Sequence, residues 1–427
     1  MRPLPRVVSW ILQRAGDRVV QIGQVFGNVR VYLVSLKTAL AVVVLLLVLA
    51  GAIALAYSLS QRPARMAGDF NIAVAQFGEE TDQGVVTTAR ANQISKLLFD
   101  FLDSEYRATD FGLKVEVAHD KIGVIVEARQ AEQLAYDINA DLVIYGRVFV
   151  VGNTATLSPR FYVKGGRETE ELTGQHQLAV PLEFDVSSLS FEDIVNVQLR
   201  ARTAILVSFT KGMTFLSARG YDAALRNFTS AIDEAERSGP YAGEEVLYVF
   251  AAVASEKQGR YDDANRYVDL ALAHNPEYSR AFIARGKIYY AQALPTWDAG
   301  LLDQALAEYE KALQARDQPE GAFVREKVSV SLANIYLVRA QQTNDAILFD
   351  KAIASYQGVI EEYEAGRDER LRELTAIAYF GVGAVYERQS KYAQARQAYQ
   401  QCARLTHDSE LRSRADQQLE IIAKKSP

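Results

Sequence analysis

The sequence predicts a multi-domain protein: a single transmembrane helix, a small α/β domain and then an all-α solenoid of repeated helical hairpins. Three observations support this prediction. They are an uncharged apolar run at 38–61, alternating strand and helix patterns over 70–189, and a self-similarity of about 40 residues over 190–408. With 427 residues, of which 49% are hydrophobic and 23% charged, the chain is long enough for two or three cores and too apolar for wholesale disorder.

Composition excludes several classes of function. A net charge of −6 is not that of a general nucleic-acid binder, so no nucleic-acid partner is expected. One cysteine and four scattered histidines leave no disulfide framework and no metal cluster. The chain contains no G-x-S-x-G, P-loop or H-E-x-x-H motif. We therefore predict no enzyme activity, no cofactor, and no catalytic, cofactor-binding or metal-binding residue.

The first element is a predicted membrane anchor. Residues 1–37 form a basic segment with a net charge of +5, which we expect to be cytoplasmic, and residues 7–34 mix charged and apolar residues as a surface-bound helix does. Residues 38–61 are uncharged and long enough to span a bilayer as a helix, so the lipid bilayer is a predicted partner. The positive-inside rule then predicts a single-pass cell-membrane protein with most of the chain outside the cytoplasm. A linker follows at 62–69.

The second element is a small α/β domain at 70–189. Its first segment, 70–77, is a short apolar run typical of a buried strand, and 91–102 has apolar residues at helical spacing. Further patterns predict a strand at 113–117, a helix at 128–138 and strands at 142–151, 154–163 and 175–180. This order of elements predicts a sheet with helices packed on it.

Two passages in this domain resemble a known family. The opening FNIAVAQF and the later EQLAYDINADLVIYGRV, with Ala140-Asp141 and Tyr145-Gly146 as the closest points, are similar to the TolB-like amino-terminal domain of bacterial envelope proteins. The resemblance implies binding in the cell envelope rather than chemistry.

The third element is a series of five similar hairpins at 190–408. Each second helix repeats an aromatic or leucine, an alanine three residues later, and a large apolar residue four residues after that, as in Tyr221, Ala224 and Phe228. Each first helix carries a small residue where two helices cross. The predicted repeat-packing residues are Gly212, Ala224, Ala252, Ala264, Gly286, Ala305, Ala333, Ala352, Gly383 and Ala395.

This repeated pattern of residues resembles the tetratricopeptide repeat (TPR). The family implies a right-handed solenoid whose first helices line a concave groove for extended peptides or partner helices. In copies three and four, seven extra residues separate the small residue from the alanine, and 409–427 is predicted to be a capping helix and tail. Carried over by position, the groove residues that would bind a partner are Arg280, Ile283, Lys287, Tyr290, Lys327, Val330, Asn334 and Leu337.

Two functions fit this organisation. The first is a membrane-anchored, non-enzymatic scaffold or adaptor of the bacterial cell envelope that binds protein or peptide partners through the TPR groove. Its three basic groove residues, Arg280, Lys287 and Lys327, suit an acidic segment, although solvated charges on a helix face explain them equally well. The second is a ligand sensor, in which the α/β domain binds a small molecule and signals through the repeats. The sequence leaves the partner and the oligomeric state open.

Overall fold

The structure is a computed structural model. It describes residues 14–15, 18–21, 32–35, 44–49, 51, 63–82, 84–164, 172–177, 182–185, 191–237, 243–318 and 323–425, with the backbone alone at 14–15, 18–21, 32–35, 182–185 and 191–203. The chain divides into two compact units, Met1–Pro63 and Ala64–Pro427. The predicted α/β domain and the predicted repeats therefore lie in one unit.

The first unit differs from the sequence prediction. Strands β1 (Arg14–Ala15), β2 (Arg18–Gln21) and β3 (Tyr32–Ser35) form an antiparallel sheet where a surface helix was expected. Of the predicted span at 38–61, residues 44–49 and 51 are described, and they are helical.

No helix in the described part of the chain has both the length and the apolar character needed to cross a membrane. Such a helix requires about 20 predominantly apolar residues, and residues 38–43, 50 and 52–61 of the predicted span lie outside the described part of the chain. The transmembrane helix in the predicted fold class and the predicted single-pass localisation with an extracytoplasmic bulk are therefore wrong. The bilayer contact predicted for the same residues is not shown.

The second unit begins with an eight-stranded mixed sheet and two helices. In chain order these are β4 (Phe70–Val74), β5 (Gly78–Thr81), β6 (Gly84–Val86), α1 (Ala89–Arg107), β7 (Val115–Ala118), α2 (Ala128–Ile138), β8 (Leu142–Val151), β9 (Thr154–Val163), β10 (Gly174–Gln177) and β11 (Leu182–Asp185). The main order is β10-β9-β8-β4-β7, with β11 also on β9, and β5 joined to β8 and β6. Strand β4 pairs in parallel with β7 and β8, as crossover connections through α1 and α2 require.

Helix α2 shows how local sequence sets an element. It begins after Glu127, whose side chain forms a capping box with Gln130, and it ends at Asn139, which adopts a left-handed conformation with φ = 61°. Its inner stripe, which includes Ala131 and Ala135, packs on one face of the sheet. Helix α1 packs on the opposite face.

Within the described residues from 191 to 425, eleven helices follow. They are α3 (Phe191–Ser217), α4 (Tyr221–Arg237), α5 (Glu244–Lys257), α6 (Tyr261–His274), α7 (Ser279–Ala293), α8 (Ala299–Gln314), α9 (Val324–Thr343), α10 (Ala346–Gly366), α11 (Arg372–Arg388), α12 (Tyr392–Leu405) and α13 (Ser409–Lys425). The first ten form five consecutive hairpins, and α13 packs against the last one.

Glycine allows close packing inside three of these hairpins. An aromatic ring of the second helix lies directly on the glycine of the first, so that a Cβ placed there would stand 2.5 to 2.8 Å from a ring carbon. The pairs are Gly212 with Phe228, Gly286 with Tyr309, and Gly383 with Tyr399. All ten predicted repeat-packing residues are buried.

The extra residues of the third and fourth hairpins are used differently. In the third they form the turn between α7 and α8, which contains Trp297 at φ = 57°. In the fourth they lengthen the helices, since α9 has 20 residues and α10 has 21. The two hairpins meet where the side-chain amide of Gln342 donates to the carbonyl oxygen of Trp297 at 2.8 Å.

Candidate functional site

The α/β domain covers the inner face of the first hairpin, most of that face in the second, and Arg280 in the third. We define the inner face by four positions on the first helix of each hairpin, which are equivalent to the predicted groove residues. They lie six and three residues before the small residue at the helix crossing, and one and four residues after it. In hairpins one and two, seven of these eight positions are apolar and buried in the same core as the sheet: Leu206, Phe209, Met213, Leu216, Val246, Val249 and Val253. The eighth is Glu256, which is half-buried. The ring of Phe209 lies 4.7 Å from that of Phe161 on β9.

Arg280 fastens the third hairpin to the α/β domain. Its side chain is 1% exposed and reaches the segment that contains β10. Its Nη2 donates to the carbonyl oxygen of Thr173 at 2.8 Å, and its Nη1 donates to that of Gln175 at 3.2 Å. A buried guanidinium that donates to buried carbonyls satisfies groups that would otherwise lose their hydrogen bonds.

His176 completes this contact as a neutral ring. Its Nε2 lies 2.7 Å from the carbonyl oxygen of Leu172 and donates to it, which leaves Nδ1 to accept from Nη1 of Arg280 at 2.5 Å. The same Nη1 also lies 2.8 Å from Nε2, but that nitrogen is the donor, so Nδ1 is the acceptor. Burial, followed by the nearby charge of Arg280, holds the pKa of His176 well below 6.5. The ring stacks on Phe161 at 4.9 Å.

Further contacts join the α/β domain to the two ends of the repeats. The hydroxyl groups of Tyr106 on α1 and Thr214 on α3 are 3.0 Å apart. At the other end, Nη1 of Arg370 donates to Glu132 on α2 at 3.0 Å, and the hydroxyl of Tyr162 donates to the same carboxylate at 2.7 Å. Burial raises the pKa of Glu132, while Tyr162 and Arg370 act in the opposite direction.

The eight predicted groove residues fall into two groups. Five are buried: Arg280, Ile283, Lys327, Val330 and Leu337. The other three, Lys287, Tyr290 and Asn334, are half-buried. Burial raises the pKa of Tyr290 to about 12. The side-chain oxygen of Asn334 accepts a hydrogen bond from the hydroxyl of Tyr356 at 2.5 Å.

Sequence reasoning missed the self-covered part of the groove because it considered hairpins three and four alone. The signal was present in hairpins one and two. The positions equivalent to Arg280 and Lys327 are Leu206 and Val246, and such residues on an inner face indicate that something apolar covers it.

A polar cavity of about 810 Å³ lies where the first hairpin, the last hairpin and the α/β domain meet; we call it the seam cavity. The residues that line the seam cavity are Arg65, Tyr136, Asn139, Asp141, Lys164, Leu216, Ser217, Arg219, Glu369, Arg370, Arg372, Glu373, His407, Asp408 and Ser409. One of them, Arg219 at the turn of the first hairpin, forms an ion pair with Glu410 on α13. This site was not predicted from the sequence, since its lining comes from six separate segments; of the lining residues, only Asp141 was named from the sequence, as part of the family resemblance.

Comparison with known proteins identifies the repeats. A family model described as tetratricopeptide repeat matches residues 251–322 and 337–409. The chain therefore carries TPRs, and this part of the sequence prediction is confirmed. No curated protein matches the chain. The findings do not support the resemblance of 70–189 to the TolB-like domain, which stays a prediction.

Three solved structures illustrate the range of matches. Yeast Tom70 is 16% identical with a TM-score of 0.38, covering 56% of this chain and 44% of that one. A thermophilic TPR protein of Thermus thermophilus is 18% identical with a TM-score of 0.38, covering 50% and 97%. YrrB, titled as a TPR protein with an unusual peptide-binding site, is 16% identical with a TM-score of 0.29, covering 53% and 98%. This chain thus spans less than half the length of the yeast structure.

Proposed function

We propose that the chain is a non-enzymatic scaffold that binds a protein partner through the part of the TPR groove that its own α/β domain leaves uncovered. Proteins with these repeats typically mediate protein–protein interactions. The observation that carries the proposal is the partial exposure of Lys287, Tyr290 and Asn334 on two successive first helices, next to positions that the α/β domain covers.

The chemistry of this surface favours an acidic segment with an apolar side chain. Lys287 supplies a positive charge at the surface of the groove, and the cations Arg280 and Lys327, which are buried beneath that surface, add to its positive potential. The ring of Tyr290 offers an apolar surface with a hydroxyl at its edge, a combination that is enriched at protein interfaces.

Site-specific photocrosslinking in the full chain tests the proposal. A photoreactive phenylalanine analogue at position 290 should yield one discrete crosslinked polypeptide in the native host, and the same analogue at Leu270, an exposed position on the second helix α6, should not. Lys287→Glu should abolish the adduct at position 290, and a cooperative thermal unfolding transition of the same variant checks that the chain still folds. Adducts of equal yield at positions 290 and 270, or an adduct that survives Lys287→Glu, would contradict the proposed groove.

A second function is favoured by the seam cavity. Because the α/β domain and both ends of the repeats line it, a small molecule bound there would contact all three. This is the arrangement that a ligand sensor needs if binding in the α/β domain is to change the repeats, since a ligand shifts an equilibrium through differential contacts with its two states.

A further inference from the structure

We infer that the seam cavity binds a small organic anion, a carboxylate or a phosphate ester, which bridges the α/β domain and the two ends of the repeats. This inference rests on the second function proposed above and names the class of ligand. A volume of about 810 Å³ lies within the range of roughly 300 to 1,000 Å³ that small-molecule pockets occupy.

The carboxylates that line the cavity already accept hydrogen bonds from the protein. Four such groups line it, and each has a donor within 3.0 Å. Asp141 accepts from the amide of Asn71, Glu369 from Arg372, Glu373 from Thr406 and the amide of His407, and Asp408 from the amide of Glu410. Their capacity to attract a cation is reduced accordingly, and Asp408 acts as a helix cap rather than as a free charge.

The uncommitted groups of the cavity are donors. Among the residues that the structure describes, no protein group accepts from the guanidinium of Arg65, the hydroxyl of Tyr136, the ring of His407 or the hydroxyl of Ser409. The lining also holds five Lys and Arg side chains against four carboxylates. Four of the five cations already bond within the protein: Lys164 to Asn139, Arg219 to Glu410, Arg370 to Asp368 and Arg372 to Glu369. Donors without acceptors complement the oxygen atoms of an anion, and Arg65 supplies the positive charge among them.

The donors come from separate parts of the unit. Arg65 precedes the sheet, Tyr136 lies on α2, and His407 and Ser409 flank the start of α13. An anion held by these groups would therefore connect the α/β domain to the last hairpin. On the side of the first hairpin, the lining residue Arg219 forms an ion pair with Glu410 on α13.

Calorimetric titration of the full chain tests the inference. The probes are citrate and inorganic phosphate, with spermidine as a cation, glucose as a neutral molecule and sodium chloride at matched ionic strength. We expect one equivalent of citrate or phosphate to bind, and preference between the two distinguishes a carboxylate from a phosphate ligand. Tyr136→Phe and Arg65→Gln should each weaken binding about tenfold, which is the loss of one good hydrogen bond to a charged group. Arg325→Gln, an exposed arginine outside the cavity, is the matched control.

The outcomes separate this inference from the function it rests on. No binding of either anion at millimolar concentration, or equal weakening by Arg325→Gln, would overturn the anion site. Binding of glucose or spermidine that Tyr136→Phe weakens would refute the anionic class and leave a sensor function standing. Anion binding that leaves the hydrogen exchange of Gly174–Gln177 and of 405–410 unchanged would support the site and refute sensing through the repeats.

Discussion

Replacing Arg280 should loosen the α/β domain from the third hairpin. In Arg280→Met, the carbonyl oxygens of Thr173 and Gln175 and the Nδ1 atom of His176 lose their donor in a buried site. An unsatisfied buried acceptor costs about 1 to 3 kcal/mol, while methionine keeps the apolar stem and removes the cost of burying a charge. Taking the lower end for three acceptors, we expect the free energy of unfolding to fall by roughly 3 kcal/mol.

Urea unfolding of the full chain, followed by far-UV circular dichroism, measures this loss. Hydrogen exchange across residues 172–177 reports the local effect, because these amides lie in the segment that Arg280 holds. Arg325→Met is the matched control, since Arg325 is an exposed arginine on α9. Equal shifts of the urea midpoint in both variants, or unchanged protection of 172–177 in Arg280→Met, would refute the role assigned to Arg280.

Three further predictions follow from other contacts. His176 has a lowered pKa in the folded state, so the unfolded state binds the extra proton below its ordinary pKa of 6.5; the contribution of His176 to stability should fall as the pH is lowered from 8 to 5, and denaturant titrations should show that His176→Gln loses less stability than the unmodified chain over that range. Ser390 and Gly259 hold equivalent left-handed turn positions, at φ = 59° and 71°, so Ser390→Gly should gain about 1 kcal/mol and Gly259→Ser should lose a similar amount in urea unfolding. Gly286→Ala should lower the melting temperature because its Cβ would meet the facing tyrosine ring at 2.6 Å, whereas Gly358→Ala, in a helix with open space around it, should raise it; opposite signs would contradict the packing argument.

Local patterns made several elements predictable. The helix at 128–138 and the strand at 154–163 have the predicted bounds, because capping residues and alternation act over a few residues. The glycines of the repeats were predictable for a related reason: a small residue followed at a fixed distance by an aromatic ring describes one contact inside one hairpin.

The covered groove was less accessible from sequence. Arg280 reads as an exposed groove residue by its repeat position, but its environment is set by Thr173 and His176, more than one hundred positions earlier in the chain. A contact between residues so far apart in the chain produces no periodic pattern in the sequence. The apolar run at 38–61 predicted a membrane helix because such a run indicates a preference for apolar surroundings, but no helix in the described part of the chain is long and apolar enough to cross a membrane.

The contacts across the second unit also bear on how the chain is made. A simple repeat array folds through contacts between neighbours, but here Arg219 pairs with a residue 191 positions away and Arg370 with one 238 positions away. During synthesis the sheet, which ends at Asp185, emerges before the first hairpin, which ends at Arg237. At about 5 to 20 residues per second, the ribosome needs roughly 3 to 10 s to add the intervening chain. For that interval the apolar sheet face around Phe161 lacks Phe209 and the rest of the first hairpin that covers it, and a chaperone that recognises exposed apolar strands would find its substrate there.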